Sequence, residues 1–173
     1  MRRIWAIGIC FLLLSGCASQ ETFETIGAVD QVPADAQPWE IGVDLPEGLT
    51  TAASQAEGAE KLFLCEDYTV ITQIMEGGDL NNTFKTCTGY PLETLQVVKT
   101  AEDGVTRYDS VWTCASETGD QVGRIAVLDD GRYHYVLTAM SDALKAGGLA
   151  ETWQTMFRSF RIEEPGSVIN SGS

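Results

Sequence analysis

His134 is the single imidazole of the 173-residue chain, so any chemistry that needs this side chain must manage with one. A zinc centre built from several histidines is excluded, and a Ser-His-Asp relay would have to recruit His134 itself. Ser141 and Asp142 follow it closely, yet no G-x-S-x-G segment is present to lift a serine onto a sharp strand-to-helix turn. The paired carboxylates Glu102-Asp103 and Asp129-Asp130 carry enough charge for calcium. Neither pair has EF-hand spacing, and each runs into a glycine where acids serve turn conformation. No glycine-rich phosphate loop occurs. Turn chemistry therefore accounts for the acid pairs, and a packed or hydrogen-bonded strand position accounts for His134. The expectation is a protein with no catalytic residue, no metal and no cofactor.

The thiol with the most specific setting is Cys17. Arg2 and Arg3 form a basic start, residues 4–14 are an almost unbroken apolar run, and Leu14-Ser15-Gly16-Cys17 closes it. That is the layout of a secretory signal peptide. The apolar stretch holds about 13 residues against the roughly 20 needed to cross the hydrocarbon core as a helix, which argues against a spanning anchor. An apolar residue, two small residues and a cysteine resemble the lipobox of bacterial prolipoproteins. Small side chains at Ser15 and Gly16 let a processing peptidase hold the backbone extended, and the Cys17 sulfur is the nucleophile that accepts a diacylglyceryl group. The resemblance implies a thioether on Cys17, cleavage before it, and acylation of the freed amine. An ordinary secretory signal with a coincidental cysteine is the competing reading. Two acyl chains anchor stably where one is marginal, each buried methylene contributing about 0.8 kcal/mol. The protein is thus expected on the extracytoplasmic face of the cell membrane, held by lipid on Cys17 and not spanning it. Cys10 leaves with the signal peptide.

Removing residues 1–16 leaves 157, the size of one ordinary domain. The chain carries 11 Lys and Arg against 25 Asp and Glu; without Arg2 and Arg3, nine cations face 25 acids, a net charge of −16. Nucleic acid is excluded as a partner because phosphate binding draws on clustered Lys and Arg, and adsorption to anionic lipid is disfavoured likewise. The acidity fits a solvated surface or a basic partner. From Cys17 to Glu60 there are nine acids and no Lys or Arg. Residues 17–37 read as a lipidated acidic tether, with residues 18–37 reaching at most about 70 Å when extended and typically roughly 25 Å as flexible chain. Residues 163–173 (EEPGSVINSGS) read as a frayed tail. One domain, residues 38–162, lies between.

Within it, residues 39–45 (WEIGVDL) alternate apolar and polar, the period of a half-buried strand closed by Pro46. Residues 61–65 and 68–75 flank Glu66-Asp67 as a hairpin. Residues 95–101 and 105–115 flank Asp103-Gly104, and residues 121–128 and 132–139 flank Asp130-Gly131; both Asp-Gly pairs suit type I′ turns. These turns place Lys99 opposite Tyr108, Val97 opposite Ser110 and Leu95 opposite Trp112. In the second hairpin they set Asp129 against Arg132, Leu128 against Tyr133, Val127 against His134 and Ala126 against Tyr135. Apolar residues on both faces require this second hairpin to be covered on both sides. Asp79 caps a helix with Leu80, Phe84 and Cys87 on one stripe and Gly89 as terminator. A second helix over residues 149–160 puts Leu149, Trp153, Met156, Phe157 and Phe160 on one stripe, after a break at Gly147-Gly148. The fold class is α+β: an antiparallel β-meander of about six to seven strands packed with one or two helices, one of them C-terminal.

The opening PWEIGVDLPEGL, the meander and a closing helix ending FRSFRI resemble the PsbP-like and DcrB-like group of small secreted or lipid-anchored domains, over residues 38–162. The resemblance implies a scaffold that binds, docks or assists assembly, and it assigns no site residue here. Trp112, Tyr108, Tyr133 and Tyr135 have the composition of a sugar- or peptide-binding groove, but their strand spacing is also what a core requires, and core packing is the better account. Trp39 and Trp153 are expected to fasten the first strand and last helix to the sheet. The functional expectation is a lipid-anchored binding or docking domain with a protein or small-molecule partner; the alternative is a structural or assembly partner in an envelope complex. Cys65, Cys87 and Cys114 allow at most one disulfide. Export favours pairing, while a domain large enough to fold unstapled favours three free thiols, which is the preferred reading.

Overall fold

The computed structural model describes residues 37–52, 59–115 and 119–163. The signal peptide, Cys17, the tether up to residue 36 and the tail from residue 164 lie outside the described residues. In chain order the elements are β1 (Glu40–Gly42), β2 (Thr50–Ala52), β3 (Ala59–Leu64), β4 (Tyr68–Glu76), α1 (Leu80–Thr88), β5 (Val97–Glu102), β6 (Val105–Cys114), β7 (Gln121–Asp129), β8 (Tyr133–Asp142), α2 (Ala143–Ala146), α3 (Ala150–Ser159) and β9 (Arg161–Glu163). β2 to β8 form one antiparallel sheet of seven strands in the order β2-β3-β4-β8-β7-β6-β5, and β1 pairs with β9 in a separate ribbon. Two meanders are thus joined side by side where β4 meets β8, and the connection through α1 carries the chain from the middle of the sheet to its far edge.

The period of two divides the sheet into two buried faces. On one, Val70, Ala126, Leu128, Tyr135, Leu137 and Ala139 pack under Trp153, Met156, Phe157 and Phe160 of α3 and the segment after it, with Ile41 and Ile162 of the ribbon and Val43 just after β1 alongside. On the other, Ile125, Val127, Val136 and Trp112 pack against Phe84 of α1. The β7–β8 hairpin is therefore the middle of three layers, covered on both sides as its sequence requires.

Helix ends follow the sequence closely. The Asp79 side chain accepts from the Asn82 amide at 3.1 Å, and Gly89, at φ 80°, stops α1 by donating its N–H to the Lys85 carbonyl. Asp142 caps α2, the chain turns through Gly147–Leu149, and α3 begins at Ala150. The end of α3 is held electrostatically. Arg107 donates to the carbonyls of Phe157 (2.7 Å) and Phe160 (3.4 Å) while pairing with Asp109 at 2.6 Å, and Arg124 lies 4.4 Å over the Phe157 ring. A cation on last-turn carbonyls satisfies groups that a helix leaves open and complements its dipole.

Four expectations are corrected. The strand over residues 39–45 shrinks to β1, because its flanking amides are taken by side chains: Trp39 N–H donates to Tyr135 OH and Asp44 N–H to Ser159 Oγ, both at 2.9 Å. Its partner, β9, includes Glu163, which was assigned to the tail, and β2 was not anticipated. Trp39 is 36 % exposed, and its backbone N–H fastens the segment through Tyr135 OH. Finally, the β7–β8 register differs. Asp103 and Gly104 do take positive φ (49° and 81°), and Lys99–Tyr108 and Val97–Ser110 pair as expected. At the other turn only Gly131 is positive (φ 88°), and Asp130 N–H donates to Tyr133 C=O, so the turn is centred on Gly131-Arg132. The cause is the Asp130 side chain, whose Oδ1 accepts from the amides of Arg132 (2.8 Å) and Tyr133 (2.6 Å). Asp129 thus faces His134, Leu128 faces Tyr135, Val127 faces Val136 and Ala126 faces Leu137. Partners slide by two, which leaves every side chain on its expected face.

Candidate functional site

Cys17, the one residue assigned a site by its sequence setting, lies outside the described residues. The other residues with chemical potential can be placed. His134 sits on the α1 face of β8, and its Nδ1 is 2.7 Å from Thr83 Oγ1. Its Nε2 is 3.9 Å from Asp129 Oδ1. Hydroxyl, imidazole and carboxylate in that order resemble a nucleophile, base and orienting acid, but Thr83 is 2 % and His134 1 % exposed, so no substrate reaches them. Ser141, an odd-numbered position on the regular strand β8, points to the opposite face from His134, and its hydroxyl donates to Asp67 C=O at 2.7 Å. A Ser141–His134 dyad is geometrically impossible. Asp129 and Asp130 spend their oxygens on the turn amides and on Tyr135 OH (2.9 Å). No group of three metal-binding side chains occurs among the described residues.

Burial lowers the affinity of the His134 imidazole for a proton below its ordinary value of 6.5, opposed by the negative charges of Asp129, Asp130 and Asp79. The folded chain therefore binds this proton less readily than the unfolded chain does. Stability is complete above about 6.5 and falls as pH drops from there through the folded value. As the sole histidine, it gives a single imidazole signal in a proton NMR titration, expected to titrate below 6.5; titration at or above that value would refute the burial argument. His134→Gln keeps a hydrogen-bonding group for Thr83 and should cost about 1 kcal/mol, read by denaturant unfolding.

Among the described residues, Cys65, Cys87 and Cys114 are unpaired, each half-buried. Cys87 directs its thiol to Gln73 Oε1 at 3.2 Å, and burial pushes that thiol up to about 12. It is a packing residue and a poor nucleophile at neutral pH.

The feature suited to recognition is a groove of about 380 Å³ lined by Tyr90, Thr94, Leu95, Val111, Trp112 and Thr113. It exists because β5 starts late. After α1 stops at Gly89, Pro91 begins a tight turn in which Thr94 N–H donates to Pro91 C=O and Leu95 N–H to Leu92 C=O. Leu95 is still in this turn, so the expected Leu95–Trp112 rung is absent and the ladder begins at Val97–Ser110. Trp112, 5 % exposed, lies flat on Gly123 of β7, where a Cβ would meet its ring at 2.2 Å. The four aromatics grouped by sequence do not converge: Trp112 and Tyr108 share the α1 face, Tyr133 and Tyr135 the α3 face. Tyr90, Leu95 and Val111 were the missed members, and the only signal for them was the Tyr-Pro pair that ends the helix and delays the next strand. Val111, at the rim of the groove, and Val98, next to it, are 59 % and 65 % exposed on the α3 face.

No protein-family model and no curated protein matches the chain. Among solved structures, it is similar in fold to the cyanobacterial PsbP of Synechocystis sp. PCC 6803, at 12% identity and a TM-score of 0.50 over 79% of this chain and 98% of that one. A protein of Bacteroides thetaiotaomicron VPI-5482 aligns at 12% identity and a TM-score of 0.50 over 73% of this chain but only 46% of its own length. LpqN, involved in cell envelope biogenesis of Mycobacterium tuberculosis, aligns at 12% identity and 0.49 over 75% of this chain and 87% of that one. The PsbP-like expectation thus holds at the level of fold. No helix among the described residues is long and apolar enough to cross a membrane.

Proposed function

We propose that this chain is a lipid-anchored extracytoplasmic domain that works by binding a partner in the Tyr90–Trp112 groove, without catalysis. The observation that carries the reading is the groove itself, an open apolar cleft of about 380 Å³ with aromatic, aliphatic and threonine groups converging on it, the composition of a recognition site. Lipid on Cys17 supplies the address, and the acidic segment behind it holds the domain away from the bilayer. A structural role in an envelope assembly is the second reading, favoured by the exposed apolar pair formed by Val111 at the groove rim and Val98 beyond it.

A photoreactive phenylalanine analogue in place of Thr94 of the full chain, irradiated in cells with Cys17 intact, is expected to give a discrete adduct that Val111→Asp suppresses. The same analogue at Glu102, on the far part of β5, should give none. No adduct from position 94, or identical adducts from both positions, would reject the groove as the binding site.

A further inference from the structure

On one side of β6 the ladder to β7 runs down to Cys114 opposite Gln121, while on the other the ladder to β5 ends at Ser110 opposite Val97. Residues 112–114 are thus paired strand on one side and, among the described residues, have no strand on the other, while Gln96 stands opposite Val111 by the same register. In an antiparallel ladder, alternate residues direct both N–H and C=O to the same neighbour. The bond from Asp130 N–H to Tyr133 C=O fixes that alternation in β7 and β8, and through the registers in β6. It places the main-chain groups of Val111 and Thr113 on the open side. Tyr90 OH meets the Thr113 carbonyl there at 3.3 Å, as this alternation requires. Thr113 is exposed, and among the described residues its N–H has no strand opposite it.

We infer that the ligand of this groove is an extended, basic peptide that adds to residues 112–114 as a further strand of the sheet. The inference rests on the groove reading above and names its ligand class. An unpaired strand edge is complemented by another main chain in extended form, with side chains set into neighbouring pockets. Leu95 and Trp112 offer the pocket for one apolar side chain. Charge selects the flanks. Glu93 belongs to the turn that carries Thr94, and Asp120 precedes Gln121 at the other end of the edge. Both are exposed and, among the described residues, neither is in an ion pair, in a chain where 25 acids face 11 cations. A lipid tail or a sugar face would fill the apolar wall but would leave the Thr113 N–H bonded only to water.

The test uses the full lipidated chain in detergent micelles and three peptides with blocked ends: KVTVK, the same peptide N-methylated at its three central residues, and EVTVE. With millimolar KVTVK, hydrogen exchange at the Thr113 amide is expected to slow by about tenfold or more. The N-methylated form, which keeps the side chains and loses the donors, should leave it unchanged. EVTVE should bind about tenfold more weakly or worse, a difference that salt diminishes. Shifts at Leu95 and Trp112 without protection of Thr113 would overturn strand addition while leaving groove binding in place. No response to KVTVK would overturn strand addition too, and the cross-link from position 94 judges the groove independently. Equal affinity for KVTVK and EVTVE would overturn the basic character of the ligand.

Discussion

Serine at position 17 is expected to move nearly all of the protein out of the membrane fraction and to abolish its labelling by fatty acid. The reasoning is quantitative. A single acyl chain gives only marginal, reversible attachment, and two make it stable, at about 0.8 kcal/mol per buried methylene. The described residues offer no substitute. None of their helices is long and apolar enough to span a bilayer, and the exposed large apolar side chains, Trp39, Val98, Val111 and Leu144, include no stretch able to enter one. Net charge works against adsorption, since 25 acids face 11 cations in the whole chain and the cytoplasmic and many extracytoplasmic leaflets carry negative lipid. Oxygen in place of sulfur also removes the group that forms the thioether, so the precursor is either left uncleaved or cleaved without lipid. Fractionation and metabolic labelling of Cys17→Ser beside the parent decide it. Retention of an unlabelled, cleaved protein in the membrane at the parental level would defeat the lipid assignment.

Much of the fold was legible because its signals are local. Apolar residues on both faces along residues 121–139 declare a hairpin buried on both sides, and Asp79, Gly89 and the Gly147-Gly148 pair mark helix limits through their own backbone preferences. What failed was non-local or atomic. β1 and β9 are three residues each and lie at opposite ends of the domain, so neither carries enough periodicity to announce a partner. The register at Asp130-Gly131 turned on which carboxylate oxygen captured the Arg132 and Tyr133 amides, a choice that the bare Asp-Gly pair does not encode. The groove was hidden for a third reason. It is a consequence of where β5 fails to begin, and sequence patterns report strands more readily than their absence. Of its residues, only Trp112 is weighed from the sequence as a recognition group and given to the core, and it is indeed buried while also forming the groove wall.

That double duty makes Gly123 the position of largest expected effect within the domain. A Cβ added there would lie 2.2, 2.4 and 2.6 Å from Cζ2, Cε2 and Cη2 of Trp112, distances that no packed pair sustains. The indole cannot swing aside freely, because it belongs to the cluster of Phe84, Ile125, Val127 and Val136. Gly123→Ala should therefore cost about 1 to 3 kcal/mol through overpacking, lowering Tm by several degrees, roughly 3 to 5 °C per kcal/mol for a domain of this size. The displaced ring would also spoil the groove wall, so adduct formation from position 94 should fall with it. A merely strand-favouring change would act in the other direction, since alanine in a strand loses less backbone entropy than glycine. Trp112→Leu separates these effects. It removes the ring atoms that occupy the space above Gly123 and is itself destabilising, but in that background Gly123→Ala should be nearly neutral. The double-mutant cycle should show a coupling above about 1 kcal/mol between the two positions. Additive costs, or a Gly123→Ala protein as stable as the parent, would mean that Trp112 is not seated on the β7 backbone and that the groove has a different wall.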